Sequence, residues 1–297
     1  MRSLKFNIIA IVYDFDGTLT PLPMQEYTIL PKIGISGPDF WKKVKKENDR
    51  IQGEMINTYM RLLLEEAEKK RVPIKRELLG ESAKNIKYFP GVKTFFERIN
   101  QYINDTTSGE IKLRHYIISS GLKEILEKTP IYNYFYNVFA SEYYYDHYGR
   151  AIFPKIAICD TLKTQFLFRI NKGKEDMRES INTHMPIHER PIPFENILYI
   201  GDGLTDVPCM SVTKKNNGYT IAVYQSNKEE TIKVCEELII GERVDFVVEA
   251  DYRKSSELEK IVKLTLDTMI QGIYFKNGKR KNIAKYFKRG TKNEEKN

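Results

Sequence analysis

Two aspartates, Asp14 and Asp16, close an apolar run in Asn7 to Thr20, NIIAIVYDFDGTLT. If that run is a strand, side chains two residues apart face the same way, and both carboxylates enter one space. The stretch NILYIGDGLTDVPCM repeats the arrangement: an apolar run ends in Asp202 between two glycines, and Asp206 follows in the first turn of an expected helix. Were the two strands neighbours, up to four carboxylates would converge. Two like charges about 4 Å apart repel by roughly 4 kcal/mol at an effective dielectric near 20. Such a cluster must take up protons or bind a cation, and an all-oxygen, carboxylate-rich site suits Mg²⁺.

Two further positions fit an anion lying over that cation. Ser119 ends the run HYIIS and is followed by Ser120, Gly121 and an expected helix, which would turn a hydroxyl and backbone N–H groups toward the same crevice. Lys163, in CDTLKTQFLF, opens another expected helix, and Lys155 competes with it for the same role. An acidic nucleophile, a second acid, a hydroxyl, a lysine and a metal are the parts that phosphoryl transfer requires.

The elements that must position these residues form an α/β core. Strands are expected at residues 8–13, 115–118, 197–200, 220–224 and 246–248, alternating with helices at 92–102, 123–128, 161–169 and 257–270, the pattern of a parallel sheet with crossover helices. Ligands of such sheets bind beyond the carboxyl ends of the strands, where Asp14 and Asp202 stand. Residues 21–88 interrupt the alternation: DFWKKVKKENDRIQ and EMINTYMRLLLEEAEKK carry apolar residues at helical spacing and predict a helical insertion. SEYYYDHYGRAIFPK reads as a β-hairpin, and residues 171–195 as a long surface loop.

In this order DFDGT, IISSG, Lys163 and GDGLTD resemble the four motifs of the haloacid dehalogenase superfamily in its phosphatase branch, close to phosphoserine phosphatase-like enzymes. The resemblance implies a Rossmann-like core from residues 1–20 and 89–272, a helical cap from 21–88 and a basic tail from 273–297. It further implies that Asp14 attacks phosphorus and that Asp16 protonates the leaving oxygen and then activates water, its backbone carbonyl also ligating the metal. Ser119, Ser120, Gly121 and Lys163 would hold the phosphoryl oxygens. Asp202 would bind Mg²⁺ with Asp206 in support, so that Asp14, Asp16, Asp202 and Asp206 make up the metal site. The expected activity is hydrolysis of a small-molecule phosphate monoester through an aspartyl phosphate. A phosphomutase or phosphotransferase using the same intermediate is the alternative, and a non-catalytic polyanion-binding member is the rival from another class.

The sequence departs from phosphoserine phosphatases at Gly17, Ser120 and Thr205, where they usually carry serine, glycine and asparagine, so the phosphoserine assignment does not carry over. DFDGTL is not a calcium loop, because Thr18 stands at the third ligand position. GDGLTD is not a dinucleotide fingerprint, because Asp206 replaces the last glycine. His184 and His188 are separated by Pro186, which argues against a zinc-binding helix.

Composition narrows the class further. Cys159, Cys209 and Cys235 are too few and too scattered for a disulfide framework or a zinc knuckle. No apolar run reaches the roughly 20 residues of a membrane-spanning helix and no signal-peptide pattern opens the chain, so a cytoplasmic protein is expected. The net charge of +8 is local: eight Lys or Arg between Lys276 and Lys292, with Lys296 against Glu294 and Glu295, give the tail +7 and leave +1 for residues 1–275. The plain interpretation is a solvated, partly disordered end, and the sharper one is a contact with anionic lipid or nucleic acid.

Overall fold

The computed structural model describes residues 4–294. Strand β1 (Ile8–Tyr13) leads into a helical stretch of α1 (Met24–Tyr27), α2 (Ile29–Ile33), α3 (Gly37–Ile51), α4 (Met55–Lys69) and α5 (Arg76–Glu81). The chain then runs through α6 (Val92–Thr107), β2 (Lys112–Leu122), α7 (Lys123–Leu126), β3 (Phe135–Tyr145), β4 (Ala151–Ile156), α8 (Asp160–Lys172), β5 (Ile197–Gly201), α9 (Val207–Lys215), β6 (Tyr219–Tyr224), α10 (Glu229–Ile240), β7 (Phe246–Glu249) and α11 (Glu257–Glu294). The strands form one sheet in the order β4-β3-β2-β1-β5-β6-β7, parallel except for the antiparallel β3–β4 pair. This is the expected α/β, Rossmann-like architecture.

Burial on both faces explains why β1 is apolar throughout. Ile9, Ile11 and Tyr13 join a core with Phe95, Phe96 and Ile99 of α6 and Leu258, Val262 and Leu266 of α11. The alternate residues Ala10 and Val12 pack on the other face with Leu167 and Ile170 of α8, Met210 of α9 and Leu238 of α10. Period-two alternation thus sorts one strand between two cores. Helices α3 and α4 pack into the same core: Phe40 and Val44 of α3 and Met60 and Leu63 of α4 belong to the same cluster as Ile9 and Ile11. Each such fully buried side chain stabilises the fold by roughly 1.5–3 kcal/mol.

Several elements differ from the sequence expectation. Strand β2 does not stop at Ile118 but runs to Leu122, so Ser119, Ser120 and Gly121 lie on a strand, and the helix after it spans four residues rather than six. Pairing explains the extension, because Ser119 sits opposite Ala140 and Leu122 opposite Ser141, with an irregularity between them. Strand β3 begins at Phe135, parallel to β2, before turning into the hairpin with β4. Helix α8 reaches Lys172, so the stretch read as loop begins inside it. The last helix does not end at Ile270 but continues to Glu294, so the tail expected to be partly disordered is helical that far; residues 295–297 lie outside the described residues.

Candidate active site

The site lies where the sheet divides. β1 is flanked by β2 on one side and β5 on the other, both parallel to it, and the Asp14 amide donates to Ile200 O at 2.9 Å just past the strand ends. Asp14 and Asp202 therefore leave adjacent strands at the same level, the switch point of an open sheet. Asp14, Asp202 and Asp206 each offer a carboxylate oxygen within 4.8 Å of the others.

Lys163 is the cation of this cluster. It is 1% exposed, and its Nζ lies 2.8 Å from Asp206 Oδ1 and 3.1 Å from Asp14 Oδ1. Burial works against its charge, but the two carboxylates outweigh burial and hold the ammonium above its ordinary range. Asp206, fully buried, also accepts from the Tyr199 hydroxyl at 2.7 Å and, through Oδ2, from the Asp202 amide at 3.2 Å. It ties the lysine, β5 and the Asp202 loop together. Lys155, the competitor, lies at the sheet edge on β4, exposed and 3.1 Å from Glu142.

Three carboxylates thus face one buried ammonium, an excess of two negative charges if all ionise. The strain is visible in their proton affinities. Burial, resisted by Lys163 and reinforced by Asp206, pushes the Asp14 carboxyl up from 3.8 to about 7. Burial followed by Asp14 and Asp206 raises Asp202 well above the carboxylate range. Three hard oxygen donors and an excess of two charges match one divalent cation such as Mg²⁺.

Asp16 is held differently. Its Oδ1 accepts the Met24 amide at 2.8 Å, which ties the carboxylate to α1, and it is not one of the three acids whose oxygens lie within 4.8 Å of one another. Burial first, and Asp14 second, raise its pKa well above the usual value. Two carboxyls two residues apart thereby stand in different surroundings, Asp14 beside the buried Lys163 ammonium and Asp16 against the Met24 amide, with burial raising both.

Ser119 is buried, and its Oγ accepts the Gly121 N–H at 3.0 Å, which leaves its own hydroxyl proton free to be donated. The Ser120 hydroxyl donates to Ile158 O at 2.7 Å and so braces β2 against the chain entering α8. Gly17 has φ 84° and lies against Asp202: a Cβ there would stand 2.0 Å from Oδ2. Backbone conformation and crowding both require glycine. A cleft of about 190 Å³ lined by Asp16, Gly17, Pro21, Asp202 and Lys228 opens onto this group. A larger cavity of about 500 Å³, between α4 and β4, contains none of these residues.

Sequence reasoning missed Tyr199, Tyr59 and Gln25. Tyr199 left one signal, an aromatic hydroxyl within an otherwise aliphatic strand ending in Asp202. Tyr59 of α4 donates to Ser120 O at 2.8 Å, joining the insertion to the site. Gln25, 2% exposed and beside the Tyr59 hydroxyl, keeps its Oε1 without a partner among the described residues. Neither left a trace in local spacing, because both depend on contacts across the fold.

Residues 11–211, which contain every catalytic and metal-binding candidate above, match the family model described as haloacid dehalogenase-like hydrolase. The chain belongs to that family. Among its relatives, an uncharacterized protein of Borreliella burgdorferi is 31% identical over 283 residues, covering 85% of this haloacid dehalogenase-like hydrolase and 94% of its own length. Among solved structures, one described as a phospho-aspartyl intermediate analogue of phosphoserine phosphatase superposes with a TM-score of 0.55 at 17% identity, covering 87% of this chain and 99% of its own. A haloacid dehalogenase family hydrolase from Salmonella enterica serovar Typhi gives 0.53 at 15% identity, with 83% and 68% covered. At these identities the likeness is one of fold. Among the described residues, no helix is long and apolar enough to cross a membrane.

Proposed function

We propose that this haloacid dehalogenase-like hydrolase is a Mg²⁺-dependent phosphatase that cleaves a small-molecule phosphate monoester through a phosphoryl group carried on Asp14. The observation that supports it most is the buried Asp14–Lys163–Asp206 bridge beside Asp202, a set of groups suited to hold one phosphoryl group and one divalent cation. Asp14 and Asp202 would hold the ion directly, with the Asp16 backbone carbonyl, while Asp206 braces them from behind. When bound, the ion would neutralise charge on the phosphoryl oxygens and lower the Asp14 pKa, so that its carboxylate is ionised.

In the first step a carboxylate oxygen of Asp14 forms a bond to phosphorus as the ester P–O bond breaks, and Asp16 gives its proton to the leaving oxygen. Lys163 and the Ser119 hydroxyl would bind phosphoryl oxygens throughout, charge-assisted contacts aimed where charge is held. In the second step Asp16, now ionised, takes a proton from water as that water attacks phosphorus. The P–O bond to Asp14 breaks and inorganic phosphate leaves. A cleft of about 190 Å³ suits a small leaving group.

The test is phosphate release from an aryl phosphate with Mg²⁺, with EDTA, and by an Asp14→Asn variant. Turnover is expected in the first case alone. Transfer to an added alcohol or sugar phosphate in place of release would identify a phosphotransferase, and no reaction across a broad panel of phosphate monoesters would overturn the proposal.

A further inference from the structure

Helix α11 changes character along its length. Leu258, Val262, Leu266, Met269, Ile270 and Ile273 are buried against the sheet. Near its last contacts with the body Asn277 clamps the N-terminal segment, its Oδ1 accepting the Lys5 amide and its Nδ2 donating to Lys5 O, both at 3.0 Å. Lys276 pairs with Glu195, and the Arg280 guanidinium covers the Phe6 ring at 4.5 Å. From residue 278 to 286 every residue is exposed.

The direction of exit follows from topology. Tyr252, just before α11, bonds Thr18 O at the site end of the sheet, whereas Lys5 and Phe6 precede β1 at the opposite end. About 20 residues of helix separate the two, roughly 30 Å at 1.5 Å per residue. The projecting segment therefore leaves the face remote from Asp14.

Along this segment the side chains are sorted by chemistry. Phe275, Ile283 and Tyr286 are 73%, 47% and 61% exposed. At about 100° per residue they fall within roughly 80° of arc, while Lys281 and Lys285 share a separate stripe and Lys279, within the apolar arc, has a stem long enough to carry its ammonium outward. Among the described residues none of the three lysines has an acidic partner within ion-pair distance, and the chain from Lys276 to Lys292 contains no acid. A helix with aromatic and aliphatic groups along one side and ammonium groups beside them lies in the plane of an anionic bilayer surface. There the apolar side chains enter the headgroup boundary and the lysines reach lipid phosphates. A nucleic acid would satisfy the charge and could stack bases on Phe275 and Tyr286, but it offers the aliphatic Ile283 no apolar partner, whereas a bilayer takes all three.

We propose that the projecting end of α11 docks this protein on anionic lipid surfaces, with the active site held on the far side and open to soluble substrates. The test is cosedimentation of the full chain with vesicles of phosphatidylcholine alone or containing about a third phosphatidylglycerol, at low and high salt. Binding is expected with the anionic vesicles only, weakening as salt rises. The variant with Lys279→Gln, Lys281→Gln and Lys285→Gln should bind on the order of 100-fold more weakly, which corresponds to about 1 kcal/mol per lysine. Ile283→Asn with Tyr286→Ser should weaken binding at high salt as well, and neither variant should change its unfolding midpoint or its hydrolysis of an aryl phosphate. The idea is overturned if the chain fails to sediment with anionic vesicles at low salt. It is equally overturned if the lysine variant binds like the parent, or if single-stranded RNA is bound at the same salt and vesicles are not.

Discussion

The clearest consequence of crowding three carboxylates around one lysine is a stability that falls with rising pH when no divalent cation is present. Asp14 carries a pKa of about 7 in the folded protein against 3.8 for the free group. A carboxyl raised on folding holds its proton more tightly in the native state. Its contribution is whole below the unfolded value and is lost as pH rises through the folded one. Between about pH 5 and about pH 8 that loss is on the order of 3 kcal/mol for Asp14 alone, since each pKa unit is worth about 1.4 kcal/mol. Asp202 and Asp16, also raised, act in the same direction. Urea unfolding in EDTA should show this loss in the parent, about 1 M in midpoint at a slope near 3 kcal/mol/M. Asp14→Asn, which cannot ionise, should show a shallower profile. Mg²⁺ should restore the parent at the higher pH by binding the native cluster. Parallel profiles for parent and variant in EDTA, or a parent midpoint unmoved by Mg²⁺, would refute the reasoning.

Other substitutions separate the roles of neighbouring groups. Lys163→Met leaves Asp14 and Asp206 buried without their cation; it should cost about 3–5 kcal/mol of stability and abolish turnover. Lys155→Met, out at the sheet edge, should leave kcat unchanged, a contrast read by steady-state kinetics beside thermal melts. Tyr199→Phe removes one donor to Asp206 and should lower stability by about 1–3 kcal/mol, with a smaller fall in kcat than Lys163→Met. Gly17→Ala forces a side chain onto Asp202 at a positive φ; it should weaken the apparent Mg²⁺ affinity at least about tenfold by titration, while far-ultraviolet circular dichroism stays unchanged.

The sheet and its two acidic strand ends were legible because burial on both faces demands continuous apolar runs, and a run that stops at a carboxylate marks its own end. Ile8–Tyr13 and Ile197–Gly201 show this directly. The far end of β2 was hidden because Ser119, Ser120 and Gly121 look like a turn in isolation, and what extends them is distant: Ser119 and Leu122 pair with β3 on either side of an irregularity, and Tyr59 and Ile158 bond Ser120. The length of α11 was hidden for a related reason. Gly272 and Gly278 and the rise in charge suggest a stop, yet each glycine costs only about 1 kcal/mol and no proline follows. Choosing Lys163 over Lys155 required knowing that α8 packs beneath β1 and β5 while β4 forms the sheet edge. Tyr59 lies 61 residues from Ser120 in sequence and Gln25 lies about 34 from Tyr59; no local periodicity reports contacts over such separations.

Whether Asp14 carries the phosphoryl group is decided by incubating Asp16→Asn with Mg²⁺ and an aryl phosphate, quenching in acid, and mapping the modified residue by peptide mass spectrometry. The account predicts one added phosphoryl group on the peptide containing Asp14, absent when Asp14 is also changed to Asn. Steady hydrolysis by Asp14→Asn, or a phosphoryl group on any other residue, would contradict it.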